Sequence, residues 1–251
     1  MPKNSRLFVV IMVPKKIHYC WFGKGEMPEL ALKCIESWHK YLPDYEYKLW
    51  NEESFDVNSI PYTKEAYQAR KFAFVTDYVR LWALYNEGGV YMDTDVEILK
   101  PLDDLLHLSA FTGYEGSKTQ PPVTGLMASE AHGEWVKEQL DAYHDAHFIN
   151  GDGSFDMTTN TVRISTIMRE NGFVQDGKYR VYKDLHVFPT EYFCPRQTTG
   201  EFFLTENTYC DHHFMGTWTE REKGWKAFLL NLFGQRGRIW IIKAKRKFEN
   251  L

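Results

Sequence analysis

Apolar residues along this chain recur with two periods, and the alternation between them outlines the elements. The stretch "KIHYCWF" (16–22) is dense in β-branched and aromatic residues and stops at Gly23, which predicts a strand. "PELALKCIESWHKYL" (28–42) follows, with apolar positions at Ala31, Ile35, Trp38 and Leu42 and Pro28 at its start, which predicts a helix with one buried stripe. "YEYKLWN" (45–51) returns to the strand pattern. Strand, helix and strand within so short a span is the βαβ unit of a parallel sheet, the architecture that binds nucleotides at its strand ends.

The next segment, "KFAFVTDYVRLWALYNEGG" (71–89), is apolar on nearly every side. It predicts a buried helix that Gly88-Gly89 terminates. "VYMDTDVEIL" (90–99) predicts a short strand interrupted by an acidic pair, and Lys100-Pro101 closes it. Strand-like pieces at 109–115 and 122–128 precede an amphipathic helix at about 133–146. "GDGSFD" (151–156) is a turn-rich loop, and a Ser/Thr cluster opens a helix over 158–171. Residues 178–220 are short strands and loops, and the last thirty residues have a helical, basic pattern.

Composition narrows the class. At 251 residues, 43% hydrophobic and 25% charged, the chain is long enough for a large buried core and ordinary for a globular protein. An aromatic share of 16% leans towards sugars or bases, on which such rings stack. Cys20, Cys34, Cys194 and Cys210 form no CxxC pair and have no histidine at zinc-finger spacing, so they are expected to be reduced thiols of a cytoplasmic protein. "LFVVIMV" is too short for a membrane span or a signal peptide, and Met12 offers an alternative start. From Arg221 onward nine Lys/Arg face two Glu, which leaves a charge of −11 on residues 1–220. That acidic body excludes general nucleic-acid binding. The chain divides into a body (1–220) and a basic amphipathic tail (221–251). The tail either packs on its own domain or contacts an anionic membrane surface peripherally.

Three features carry candidate chemistry. Asp93 and Asp95 stand two apart, and in an extended strand they would point to one side. Their mutual repulsion calls for a cation, and Mg²⁺ or Mn²⁺ with oxygen ligands is the natural partner. The bland reading is an Asx-turn that ends the strand. Asp77 and Arg80 are the only charges in "FAFVTDYVRLWALY" and share one helical face. They form either a private salt bridge or a polar grip on a ligand's hydroxyls. In "DHHFMGTW" (211–218), adjacent strand histidines point to opposite faces, so at most one of His212 and His213 joins a common site.

Together "VPKKIHYCWFG", "KFAFVTDYVRLWALYNEGGVYMDTDVEIL" and "HHFMGTW" resemble glycosyltransferase family 32, whose members include bacterial capsule and exopolysaccharide transferases and the yeast initiating α-1,6-mannosyltransferase. The resemblance is dense over 14–101 and returns at 209–218. It implies a GT-A fold, Rossmann-like with a central, mostly parallel sheet, here followed by the helical tail. It also implies a nucleotide-sugar donor (UDP-hexose favoured, GDP-mannose second) and retention of anomeric configuration. By position, Asp95 would ligate the metal with His212 or His213, and Asp93 would contact the ribose or a metal-bound water. Asp77 and Arg80 would hold sugar hydroxyls, and His18 and Trp21 would hold the nucleoside. Tyr91 and Gly125 fall in the same donor region, and Trp218 would close over it. The acceptor would be a cell-surface glycan (capsule, exopolysaccharide or O-antigen) or a lipid-linked oligosaccharide. A metal-dependent phosphoester hydrolase and a catalytically silent sugar-binding protein are the competing readings.

Overall fold

The computed structural model describes residues 13–115, 122–196 and 202–215. The boundary at 220/221, the tail 221–251 and the segment before residue 13 lie outside the described residues, as do Thr217 and Trp218.

The chain begins with β1 (Lys16–Cys20), α1 (Glu29–Tyr41) and β2 (Glu46–Trp50), and β1 and β2 pair in parallel as the βαβ pattern requires. Two helices follow, α2 (Pro61–Gln68) and α3 (Phe72–Glu87), then β3 (Gly89–Met92) and β4 (Val96–Ile98). Next come β5 (Ala110–Tyr114), β6 (Pro122–Ser129), α4 (Glu134–Asp141) and α5 (Asn160–Glu170). The described part closes with β7 (Arg180–Tyr182), β8 (Leu185–Phe188), the single turn α6 (Thr190–Phe193) and β9 (Cys210–His212). The sequence pattern marks neither α2, which starts on Pro61 and buries Tyr62, Thr63 and Ala66, nor α6.

Seven strands form one sheet in the order β2-β1-β3-β6-β5-β8-β7, and β4 pairs with β9 in a separate two-stranded ribbon. β3 is parallel to β1, β6 is antiparallel to both β3 and β5, β8 is parallel to β5, and β7 is antiparallel to β8. Five of the seven strands therefore run in one direction, with β6 and β7 against them. The sheet is covered on both sides. Val90 and Met92 of β3 join one core cluster with Trp38 of α1, while Tyr91 between them joins the other with α3. Burial on both faces is why these strands read as continuous apolar runs.

Gly88 and Gly89 do end α3. The Gly88 N–H bonds the Leu84 carbonyl, and both glycines sit at positive φ (64° and 114°). A Cβ on Gly89 would lie 2.6 Å from the Lys16 carbonyl, so the join between α3 and β3 needs glycine for space as well as for backbone conformation. This join fixes Asp77 and Arg80 on the helix relative to the acidic pair beyond β3. All four cysteines are buried free thiols. No helix among the described residues is long and apolar enough to cross a membrane.

Candidate active site

β3 stops at Met92, and Asp93, Thr94 and Asp95 form a turn, closed by the Val96 N–H on the Asp93 carbonyl at 3.0 Å. This corrects the expectation of an extended strand through the pair. The two carboxylates approach one another because the chain turns there, not because of strand pleat. The Asp93 N–H is held by the Gly125 carbonyl at 2.7 Å, which ties the turn to β6.

β9 supplies the third group. Its antiparallel register sets His212 opposite Val96, and the His213 N–H bonds the Asp95 carbonyl at 3.0 Å. The His212 Nε2 then lies 3.3 Å from Asp95 Oδ1, and the Met215 N–H donates to Asp95 Oδ2 at 2.7 Å. Burial lifts the Asp95 carboxyl, but His212 and the Met215 N–H outweigh it and hold the pKa below the ordinary value. Burial likewise opposes a charged His212, yet hydrogen bonds to Asp95 and Cys194 and the charges of Asp95 and Asp93 raise it well above the usual range. The imidazole stacks on Phe214 at 4.3 Å.

Arg80 joins the second pair to the first. Its Nη2 lies 3.1 Å from Asp77 Oδ1 and its Nη1 3.3 Å from Asp93 Oδ1, while the guanidinium stacks 4.6 Å from the centre of the Tyr91 ring. The Tyr91 hydroxyl donates to Asp93 Oδ1 at 2.7 Å. The salt bridge is thus not private: one buried guanidinium links the helix carboxylate to the acidic turn. Burial pushes the Asp77 carboxyl up to about 6 in spite of Arg80.

The remaining expected residues divide. Gly125 lines the cluster, since a Cβ there would meet His212 Cε1 and Nδ1 at 2.9 Å. Trp21 follows β1 at the sheet end where Asp93 also sits, half-buried, with its indole N–H on the Gly25 carbonyl at 2.6 Å. His18 is fully buried and is not brought to the cluster. Its Nδ1 accepts the Trp50 indole N–H at 3.1 Å and its Nε2 bonds the Gly88 carbonyl at 2.8 Å, so neither ring nitrogen is available to a ligand. His213 turns away to Glu97 (2.8 Å) and Asp211 (3.9 Å). That second carboxylate–histidine group is tied together by its own hydrogen bonds, with Asp211 also held by Arg196.

Sequence reasoning missed two residues. Glu115, just past β5, is largely buried, and its electrostatic partners are His212, Asp93, Arg80 and Asp95. Asn160, the first residue of α5, directs its main-chain N–H at Asp77 Oδ2 from 3.3 Å. Glu115 carried a weak signal as an acid at a strand end, whereas nothing local marks Asn160.

Asp93, Asp95 and His212 each offer a ligand atom, and these atoms lie within 4.8 Å of one another. Two carboxylates and an imidazole suit Mn²⁺ or Mg²⁺. The excess of carboxylates around Arg80 fits such an ion as well.

Residues 28–112 match the family described as glycosyltransferase sugar-binding region containing DXD motif. That stretch is a DXD-type glycosyltransferase region. It spans α1 to β5 and so contains Asp77, Arg80, Asp93 and Asp95. Inositol phosphoceramide mannosyltransferase 3 of Schizosaccharomyces pombe is 37% identical over 103 residues, 39% of this chain and 29% of the relative. Initiation-specific alpha-1,6-mannosyltransferase of Candida albicans is 26% identical over 133 residues, 49% of this chain and 34% of the relative. The matched segments thus cover about a third or less of these relatives' own lengths. Among solved structures, PaToxG Glycosyltransferase superposes with a TM-score of 0.50 at 16% identity, over 64% of this chain and 70% of that one. The fold around the DXD-type region is the GT-A glycosyltransferase fold.

Proposed function

We propose that this chain is a metal-dependent, retaining glycosyltransferase that moves a hexose from a nucleotide-diphosphate donor to a glycan or lipid-linked acceptor. The observation that carries the reading is the bridge by Arg80 between Asp77 and Asp93, beside the Asp95–His212 pair. A sugar grip on a helix and a diphosphate grip on a strand end thereby share one guanidinium.

Asp93, Asp95 and His212 would hold the divalent ion, which when bound would stabilise negative charge on a leaving diphosphate. Asp77 and Arg80 orient the sugar, and their burial keeps competing water from the anomeric carbon. In the reaction the bond from the anomeric carbon to the diphosphate oxygen breaks, and a bond to the acceptor oxygen forms on the same face. The acceptor's proton passes to the departing phosphate oxygen. A trapped glycosyl–carboxylate adduct would overturn same-face attack in favour of double displacement.

The relatives' names put mannose beside UDP-hexose as the donor sugar. They also put a phosphorylated sphingolipid beside a capsular glycan as acceptor. Contact of the basic tail with a membrane surface belongs to the same proposal, and loss of liposome pelleting on deletion of 221–251 tests it. Thermal shift against UDP, GDP and their sugars, with and without Mn²⁺, tests the whole. Stabilisation that requires the metal is the expected result. Indifference to every nucleotide would refute the transferase. Hydrolysis of simple phosphoesters without sugar transfer would instead favour the hydrolase reading, which the named relatives disfavour.

A further inference from the structure

Asp77 is backed by a polar cluster drawn from three helical segments. Tyr62 of α2 and Tyr143, two residues past α4, pack edge to face at 4.9 Å. The guanidinium of Arg163, one turn into α5, lies 4.9 Å from the Tyr143 ring centre and 5.7 Å from that of Tyr62. It is anchored by Asp156 at 2.6 Å. Asn160, on the same face of α5, reaches Asp77 twice, main-chain N–H to Oδ2 at 3.3 Å and Nδ2 to the carbonyl at 3.5 Å.

Four buried polar atoms of this cluster lack a well-formed hydrogen bond: the hydroxyls of Tyr62 and Tyr143, Oδ1 of Asn160 and Nε of Arg163, with only the Arg163 guanidinium beside the Tyr62 hydroxyl. Tyr62, Tyr143 and Asn160 are 0%, 1% and 2% exposed. Buried groups in this state are costly, and four around one carboxylate need a common account. Their chemistry narrows it. A phosphate would ask for donors alone and a cation for acceptors alone, but here one acceptor and one donor accompany two hydroxyls that serve as either. A ligand with several hydroxyls of its own matches that mixture.

We infer that Tyr62, Tyr143, Asn160 and Arg163 are the hydroxyl-reading wall of the sugar pocket whose polar grip is Asp77 and Arg80, and that this wall selects which hexose is accepted. The inference rests on the transferase reading above and deepens it.

Tyr62→Phe and Tyr143→Phe test this, because each removes one hydroxyl and leaves the ring packing intact. Calorimetry with Mn²⁺ compares UDP-glucose, UDP-galactose and GDP-mannose with bare UDP and GDP, and melting curves accompany each variant. The expected result has three parts. Affinity for bare nucleotide is unchanged, the extra affinity that the sugar confers falls about tenfold in at least one variant, and the melting point holds or rises because an unpaired hydroxyl has gone. If both variants keep the wild-type sugar increment, the wall does not read the sugar and the inference fails while the transferase stands. If the wild type binds no nucleotide at all, the transferase fails, and the inference with it.

Discussion

His212 and Asp95 face each other at 3.3 Å, while the adjacent His213 points to Glu97 on the opposite face. One of two neighbouring histidines therefore belongs to the acidic turn. His212→Ala is expected to lower Mn²⁺ affinity by about 100-fold, and His213→Ala to leave it within a few-fold. Calorimetric titration of each variant checks this, and equal losses in the two would overturn the assignment.

Gly125 is where the imidazole has no room to spare. In Gly125→Ala the new methyl would meet the His212 ring at 2.9 Å and push it from Asp95. Transfer is expected to fall by about 100-fold, since an ångström of misplacement costs that much. Stability should drop only by what overpacking costs, about 1–3 kcal/mol. An active Gly125→Ala would mean that the ring position is not critical.

Asp77 links the site to stability through pH. Burial raises its carboxyl to about 6, so the folded chain holds this proton more tightly than the unfolded one. Its contribution to stability is intact at about pH 4 and is lost as pH rises through about 6, by on the order of 3 kcal/mol. Asp77→Asn cannot ionise, so its melting point should gain on wild type between about pH 4 and 6 and level off above that, while transfer is abolished. A gap that does not change with pH would show that Arg80 offsets the burial in full.

His18 gives the opposite pattern. Burial lowers its pKa, and the neutral ring bonds Trp50 and Gly88. Its contribution is therefore present above pH 6.5 and lost as pH falls below that value. His18→Phe strands a buried indole N–H and a buried carbonyl, at a cost of about 3 kcal/mol. Nucleotide affinity of the folded variant should match wild type. A large loss of affinity at unchanged stability would instead support the nucleoside contact that family resemblance implies.

Much of the fold was legible because the signals are local. The alternation of apolar runs gave β1, α1 and β2, and Gly88-Gly89 ended α3 where a positive φ is required. α2 was missed because its buried face, Tyr62, Thr63 and Ala66, contains one strongly apolar residue at most. The geometry of Asp93-Thr94-Asp95 was misread as strand because a turn and a broken strand share the same residues there.

Sequence by itself determined which residue types the site has, since two carboxylates beside apolar strands and two charges in an apolar helix are visible without coordinates. It also determined that only one of His212 and His213 could join them, because neighbours in a strand alternate. Tertiary structure alone decided which one, through the register of β9 on β4, and it alone showed Arg80 spanning Asp77 and Asp93. Glu115, Asn160 and the tyrosine wall were likewise invisible, because each reaches the site across a large sequence separation. Periodicity fixes the face a side chain takes within its own element, whereas strand register and helix packing fix what that face meets.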